Sequence, residues 1–189
     1  MSTVHLNRTK NYVKAEECGD TAIEMFTAFG LPPTHPQMQN CLSNMAINRE
    51  KLGMINDTLA IYREELEMLK TVEPFDAVVV CGKLDEIIQV HKRANHVAEY
   101  LLLADEGLAI AQKYLPPNHV TIADLFSYTA DANLQLGKDY PAALAAYKAA
   151  LQIYNTLPEG SVKKGGYITT CVFNIPQLER ICADVTRDE

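Results

Sequence analysis

Apolar residues recur along this chain at steps of 0, 3, 4, 7, 11 and 14, the spacing of an amphipathic helix. Set at Ile55, that ruler reads Ile55, Thr58, Leu59, Tyr62, Leu66 and Leu69. It reads Val97, Tyr100, Leu101, Ala104, Leu108 and Ala111 when set 42 residues later, and Tyr140, Ala143, Leu144, Tyr147, Leu151 and Tyr154 when set at Tyr140. Set near the start it gives a weaker copy: Tyr12, Ala15, Glu16, Gly19, Ile23 and Phe26. A second set of helices lies between these. Met38, Val80 and Ile122 are spaced by 42, as are Leu42, Leu84 and Phe126, then Met45, Ile87 and Thr129, then Leu52, Ala94 and Leu136. Each set walks down one helix face, so these intervening helices share a register.

The punctuation has the same period. Leu31-Pro-Pro-Thr-His-Pro36 returns as Leu115-Pro-Pro-Asn-His-Val120, and Leu52-Gly53 returns as Leu136-Gly137, both 84 residues on, which is two steps of 42. Gly53, Asn95 and Gly137 are residue types that tolerate the left-handed conformation at a helix end. The corners at Pro32-Pro33, Pro74, Pro116-Pro117 and Pro158 close each second helix, because an interior proline costs about 3 kcal/mol. The chain therefore predicts a leading helix over about 5–29 and hairpins over about 35–73, 74–115 and 116–157. Their helices run 37–52 with 56–72, 77–93 with 97–114, and 120–136 with 140–156. A last helix of the first type falls within 162–185, broken near Pro176, after a loop at Gly160–Gly166. Val78-Val79-Val80 is the nearest approach to a strand, but its register with Met38 and Ile122 predicts helix. All 189 residues are expected to form one all-α solenoid domain, the architecture that a period of this length implies.

Composition narrows the partners. The chain is 48% hydrophobic and 22% charged, ordinary for a globular protein. Its net charge of −7 disfavours nucleic acid and anionic membranes, and no apolar run approaches the roughly 20 residues of a membrane span. Arg8, Lys10 and Lys14 precede the first acid, Glu16, a feature better explained by an ordinary helix start than by an organellar presequence. Cys18, Cys41, Cys81, Cys171 and Cys182 are odd in number, form no CxxC pair and sit among apolar residues. That usage predicts free, buried thiols and a reducing compartment, the cytoplasm first, with cytoskeletal, ciliary or mitochondrial settings as alternatives.

The third hairpin carries Leu136-Gly137, Tyr140, Ala143, Tyr147, Ala150-Leu151 and Ile153, and the first carries Asn44-Met45-Ala46, Leu52-Gly53, Tyr62 and Leu66. This pattern resembles the tetratricopeptide repeat in its 42-residue form, as in kinesin light chains. The resemblance covers about residues 12–175. It is weakest in the middle copy, where Pro74-Phe75-Asp76 replaces the His-Pro opening of His35-Pro36 and Asn95 replaces the glycine. It implies hairpins stacked into a right-handed superhelix, with first helices lining a concave groove that holds a peptide or partner helix.

Aligning Ala46, Ile88 and Ala130 carries the family's groove positions onto Asn40, Ser43, Asn44 and Lys51 in the first hairpin. In the second they are Asp85, Glu86, Gln89, Lys92 and Arg93, and in the third Asp124, Ser127, Tyr128 and Asp131. Of these, Asn44 alone matches the asparagine that grips a peptide backbone in the family, its amide both donating and accepting. Family members that bind acidic chaperone tails use basic residues where this chain has Asp85, Glu86, Asp124 and Asp131. A ligand with basic character is the better electrostatic match. The competing reading is a solvated helix face, with Lys92 and Arg93 paired to Asp85, Glu86 or Glu99.

Catalytic motifs are lacking, and no cofactor or metal is expected. His91 and His96 lie five apart, unlike the i, i+4 helical metal pair. His35 and His119 occupy equivalent corners and suit turns. Gly160–Gly166 lacks the Gly-Lys-Ser/Thr order of a phosphate loop. Two functions from different classes remain: an adaptor capturing a segment of a partner, and a subunit packed permanently into a larger assembly, with microtubule, ciliary or organellar assemblies entering by analogy. The second gains from apolar ends, Tyr12, Ile23 and Phe26 on one side and Ile168, Val172 and Phe173 on the other, which invite self-association. The chain also opens on a second-type helix, pointing to truncation or divergence of a preceding repeat.

Overall fold

The computed structural model describes residues 3–32, 35–137, 139–158 and 164–185. Among these, all regular structure is helical: α1 (Thr3–Ala28), α2 (Pro36–Lys51), α3 (Ile55–Thr71), α4 (Ala77–Arg93), α5 (Val97–Tyr114), α6 (Val120–Leu136), α7 (Tyr140–Thr156) and α8 (Lys164–Val185). The bounds of α2 to α7 fall within a residue of those the periodicity predicts.

The helix ends follow from local chemistry. His35 and His119 are N-caps, each accepting at Nδ1 the backbone N–H two residues on, from Gln37 and Thr121 at 3.3 Å. Such a bond satisfies one of the donors a helix start leaves open. Asp76 performs this role in the middle hairpin, its Oδ1 accepting from the Val78 and Val79 N–H groups at 2.9 and 3.2 Å. The disguised opening of that copy is thus a different cap. Gly53, Asn95 and Gly137 have φ of 81°, 59° and 62°, the left-handed turn expected at each stop. Pro33 and Thr34 lie outside the described residues.

Two expectations are corrected in α8. Lys164–Gly166, expected in a loop, belong to the helix, whereas 160–163 lie outside the described residues. Pro176 does not break it. The proline ring removes one N–H and crowds the carbonyl four residues earlier, at Val172. Both residues are exposed, so water can take that carbonyl.

Two compact units divide at Val90, within α4. In the first, comprising residues 1–90, α1 packs on α2 and α2 on α3. Gly19 allows the α1–α2 approach, since a Cβ there would stand 2.6 Å from Met45 Cγ. Met38, Met45, Ala46, Leu59, Tyr62, Leu66, Leu84 and Ile87 are buried. The Thr58 hydroxyl, buried, donates to the Ala46 carbonyl at 3.2 Å and ties α3 to α2. In the second unit α5 packs on α6, α6 on α7 and α7 on α8. Its core joins Ala123 and Ala130 with Ala143, Ala146, Tyr147, Ala150 and Tyr154, and with Cys171 and Leu178 of α8. Alanines at these crossings keep the helices close, while Tyr147 and Tyr154 are among the largest fully buried side chains. The five cysteines are not joined in disulfides; Cys81 and Cys171 are buried, but Cys18 is exposed, against the expectation for it.

Candidate interaction surface

In the first unit, Asn40, Asn44 and Lys51 are exposed on α2. Asn44 borders a shallow depression between α1 and α2. Its walls are Ala15, Cys18, Gly19 and Ala22 on one side and Cys41, Met45, Ile47 and Asn48 on the other. Small residues on α1 let another backbone come near, and the Asn44 and Asn48 carboxamides can both donate and accept there. Asn48 and the half-exposed Ile47 are additions that family register alone does not nominate. Their signal was the fringe of small residues at 15, 19 and 22, one helical face.

Ser43 connects this surface to α4. Lys83, almost fully buried, donates to Ser43 Oγ at 3.4 Å and lies 2.6 Å from both Glu86 Oε2 and Glu65 Oε2. Its ammonium also stands 4.8 Å from the centre of the Tyr62 ring. Burial pushes the Glu65 carboxyl above its ordinary range; Lys83 opposes the shift, and Glu86 and Glu64 add to it. Asp85 accepts from the Gln89 side chain at 3.4 Å. When Glu65 is ionised, one ammonium serves two carboxylates and Asp85 adds another negative charge, so the α4 face of this unit is acidic.

In the second unit the predicted groove residues behave differently. Asp124, Ser127 and Tyr128 are buried. Asp124 accepts from the Tyr154 hydroxyl at 2.8 Å, Ser127 shares a hydrogen bond with that hydroxyl at 3.3 Å, and Tyr128 shares one with Tyr167 at 3.2 Å. Tyr154 and Tyr167 stack with ring centres 5.8 Å apart. Asp131 accepts from Tyr147 at 2.5 Å and from Lys92 at 2.8 Å, and Asn174 donates to the Tyr147 hydroxyl at 2.9 Å. Lys92 therefore pairs with Asp131. It also lies 4.8 Å above the Tyr128 ring. Arg93 is exposed. Burial beside these carboxylates drives the Tyr147 and Tyr154 hydroxyls far above the usual phenol range, and Tyr100, buried near Asp131, up to about 12. These hydroxyls stay protonated at any working pH, and those of Tyr147 and Tyr154 donate to Asp131 and Asp124. The network had a visible signal: Asp124 and Asp131, like Tyr147 and Tyr154, are seven residues apart, two turns on one face.

His91 and His96 face each other across the α4–α5 turn with Nδ1 atoms 3.3 Å apart. Among the described residues no group of three His, Cys, Asp or Glu side chains is placed to hold a metal ion, and no helix is long and apolar enough to cross a membrane.

No known family profile matches the sequence, and no curated protein matches it. Solved structures do match. BtubC (BKLC) from P. vanneervenii is similar over 98% of this chain and 70% of its own, with a TM-score of 0.70 at 17% identity. The nearly identical TPR-like repeats of a Podosopora anserina kinesin light chain match 97% of this chain and 90% of theirs, with a TM-score of 0.61 at 15% identity. PcrH from Pseudomonas aeruginosa matches 76% of this chain and 93% of its own, with a TM-score of 0.54 at 14% identity. At such identities the likeness is one of fold: the helices are arranged as tetratricopeptide-type helical repeats.

Proposed function

We propose that this chain is a non-enzymatic adaptor that holds an extended segment of a protein partner along the first-type helices of its first unit. The observation that carries the reading is the exposed Asn44 amide beside the α1–α2 depression. An extended peptide offers one N–H and one C=O per residue, and a side-chain amide can pair with both without reading sequence. Selectivity then comes from charge. Glu86 and Asp85 on α4 favour a lysine or arginine in the segment, and Lys83, held between Glu65 and Glu86, is too deeply buried to attract an acidic one. Asn40, Ser43, Asn44, Lys51, Asp85, Glu86 and Gln89 form the proposed contact set. Asp124, Ser127 and Tyr128 are assigned to holding α6, α7 and α8 together, with Lys92 and Asp131 contributing at the edge of that network.

The test is a peptide array read with the purified full chain, followed by titration of the peptides that bind. Basic, extended peptides should bind, with affinity reduced about tenfold by Asn44→Ala, the scale of one lost hydrogen bond to a peptide amide. Glu86→Gln should weaken lysine-bearing peptides more than neutral ones. Binding indifferent to Asn44→Ala, or confined to acidic peptides, would overturn the assignment.

A further inference from the structure

The first and last helices each leave a face uncovered that is covered in other helices of the same type. In α3, Ile61 and Met68 line one pocket with Met38 and Leu42 of α2, the first-type helix of the same hairpin. In α7 the equivalent residues are Ala146 and Ile153, followed one turn later by Leu157, all packed in a cluster with Ala123, Phe126 and Ala130 of α6. The same apolar register carries these three positions onto Cys18 and Met25 of α1 and onto Phe29, the residue that follows its end. Cys18 is exposed, Met25 is 54% exposed and Phe29 77%.

The complementary face is on α8. Ile168, Cys171, Ile175 and Leu178 pack into the α7 cluster. Ile122, Leu125, Thr129 and Ala132 of α6 have the same spacing, and Leu125 and Ala132 are buried outside the cluster that α6 shares with α7. In that register Ala123, Phe126 and Ser127 of α6, which meet the second-type helix α7, map onto Thr169, Val172 and Phe173 of α8. Val172 is 55% exposed and Phe173 66%. A shallow apolar depression runs over Ile168, Thr169, Val172, Phe173 and Gln177.

So α1 presents the uncovered half of a second-type helix, and α8 the uncovered half of a first-type helix. We propose that α1 of one copy docks on α8 of a second copy, completing between molecules the hairpin that α6 and α7 form within one. The occupant of each face is the other face of the same chain. Such a contact is heterologous, joining two different surfaces, and each added copy leaves one face of each kind open for the next. Burial of Phe29 and Phe173 drives it, and the repeat register sets its orientation.

Sedimentation velocity of the full chain tests this. The wild-type protein should grow with concentration through dimers to larger species. Phe29→Glu and Phe173→Glu each block one face, so each variant alone should be a monomer, with unchanged circular dichroism since both side chains are exposed. Mixed in equal amounts, they should form a heterodimer and nothing larger, because each supplies the face that the other has lost. A wild-type protein that stays monomeric at its highest soluble concentration would overturn the proposal. So would a Phe29→Glu variant that still dimerises with itself, the mark of an α8-to-α8 contact, or a mixture that remains monomeric. None of these outcomes depends on whether Asn44 binds peptides.

Discussion

Tyr147 donates its phenol hydrogen to Asp131 Oδ1 at 2.5 Å, and Lys92 holds the other oxygen of the same carboxylate at 2.8 Å. One side chain of α6 is thereby fastened to α7 and to the last turn of α4. Asn174 of α8 donates to the Tyr147 oxygen and extends the chain of bonds by one helix. A hydroxyl that both donates to a charged acceptor and accepts from an amide is worth more than an isolated surface bond.

Tyr147→Phe should therefore destabilise the chain by about 1–3 kcal/mol, since the ring remains and the donor to a partly buried carboxylate is lost. Urea denaturation followed by circular dichroism measures this. Asn174→Ala should cost less, because the amide binds a neutral oxygen at the network's edge. The two effects should not add, since both variants break the same chain of bonds.

Helix positions were readable in the sequence because their limits are set by local chemistry: caps, left-handed stops and a sustained apolar face. The exposure of the expected groove positions was less readable. Asn44 and Tyr128 hold the same place in the repeat, yet one is exposed and the other buried. The difference comes from residues far away in sequence. Tyr167 reaches Tyr128, and Tyr154 reaches Asp124 and Ser127. Periodicity identifies which face of a helix is in question and says nothing of what covers it. Pro176 misled for a similar reason, since its cost depends on whether the carbonyl at Val172 can reach water.

Asn95 accounts for the hidden middle copy and can be tested directly. Its φ of 59° is left-handed, a conformation that asparagine tolerates and β-branched residues resist. Asn95→Gly should be neutral or stabilising, up to about 1 kcal/mol, and Asn95→Val should cost about 1–2 kcal/mol. Thermal unfolding of the two variants beside the parent should place them on opposite sides of it or leave the glycine variant level.

The buried pair of Lys83 and Glu65 carries a prediction in pH. Lys83→Met leaves the Glu65 carboxylate buried and unpaired, which should cost about 3–5 kcal/mol near neutrality. Glu65 already has a pKa raised above 4.5 by burial, and losing the ammonium that opposes the shift raises it further. The folded variant then binds a proton that the unfolded chain does not, so its stability rises as pH falls through the folded pKa towards 4.5. The deficit of Lys83→Met against the parent should shrink on acidification over that window, as measured by urea unfolding at several pH values. A deficit constant with pH would show that Glu65 does not carry the lost charge.

Gly19 tests whether the α1–α2 contact shapes the proposed peptide site. A Cβ at this position would stand 2.6 Å from Met45 Cγ and 2.9 Å from its sulfur, far inside van der Waals contact. Met45 is almost fully buried, so its Cγ and sulfur must shift within the packed α1–α2 contact to admit that Cβ. Gly19→Ala should thus lose about 1–3 kcal/mol despite the better helix propensity of alanine, because overpacking outweighs that gain. Met45→Ala alone should cost about 2–5 kcal/mol by opening a cavity. Together the two changes should be less harmful than their sum, since each relieves the fault of the other, and a double-mutant cycle in urea reads the coupling. Peptide titration of Gly19→Ala adds a functional readout. Gly19 and Met45 both line the depression beside Asn44, so displacing α1 from α2 should weaken peptide binding even where the variant remains fully folded.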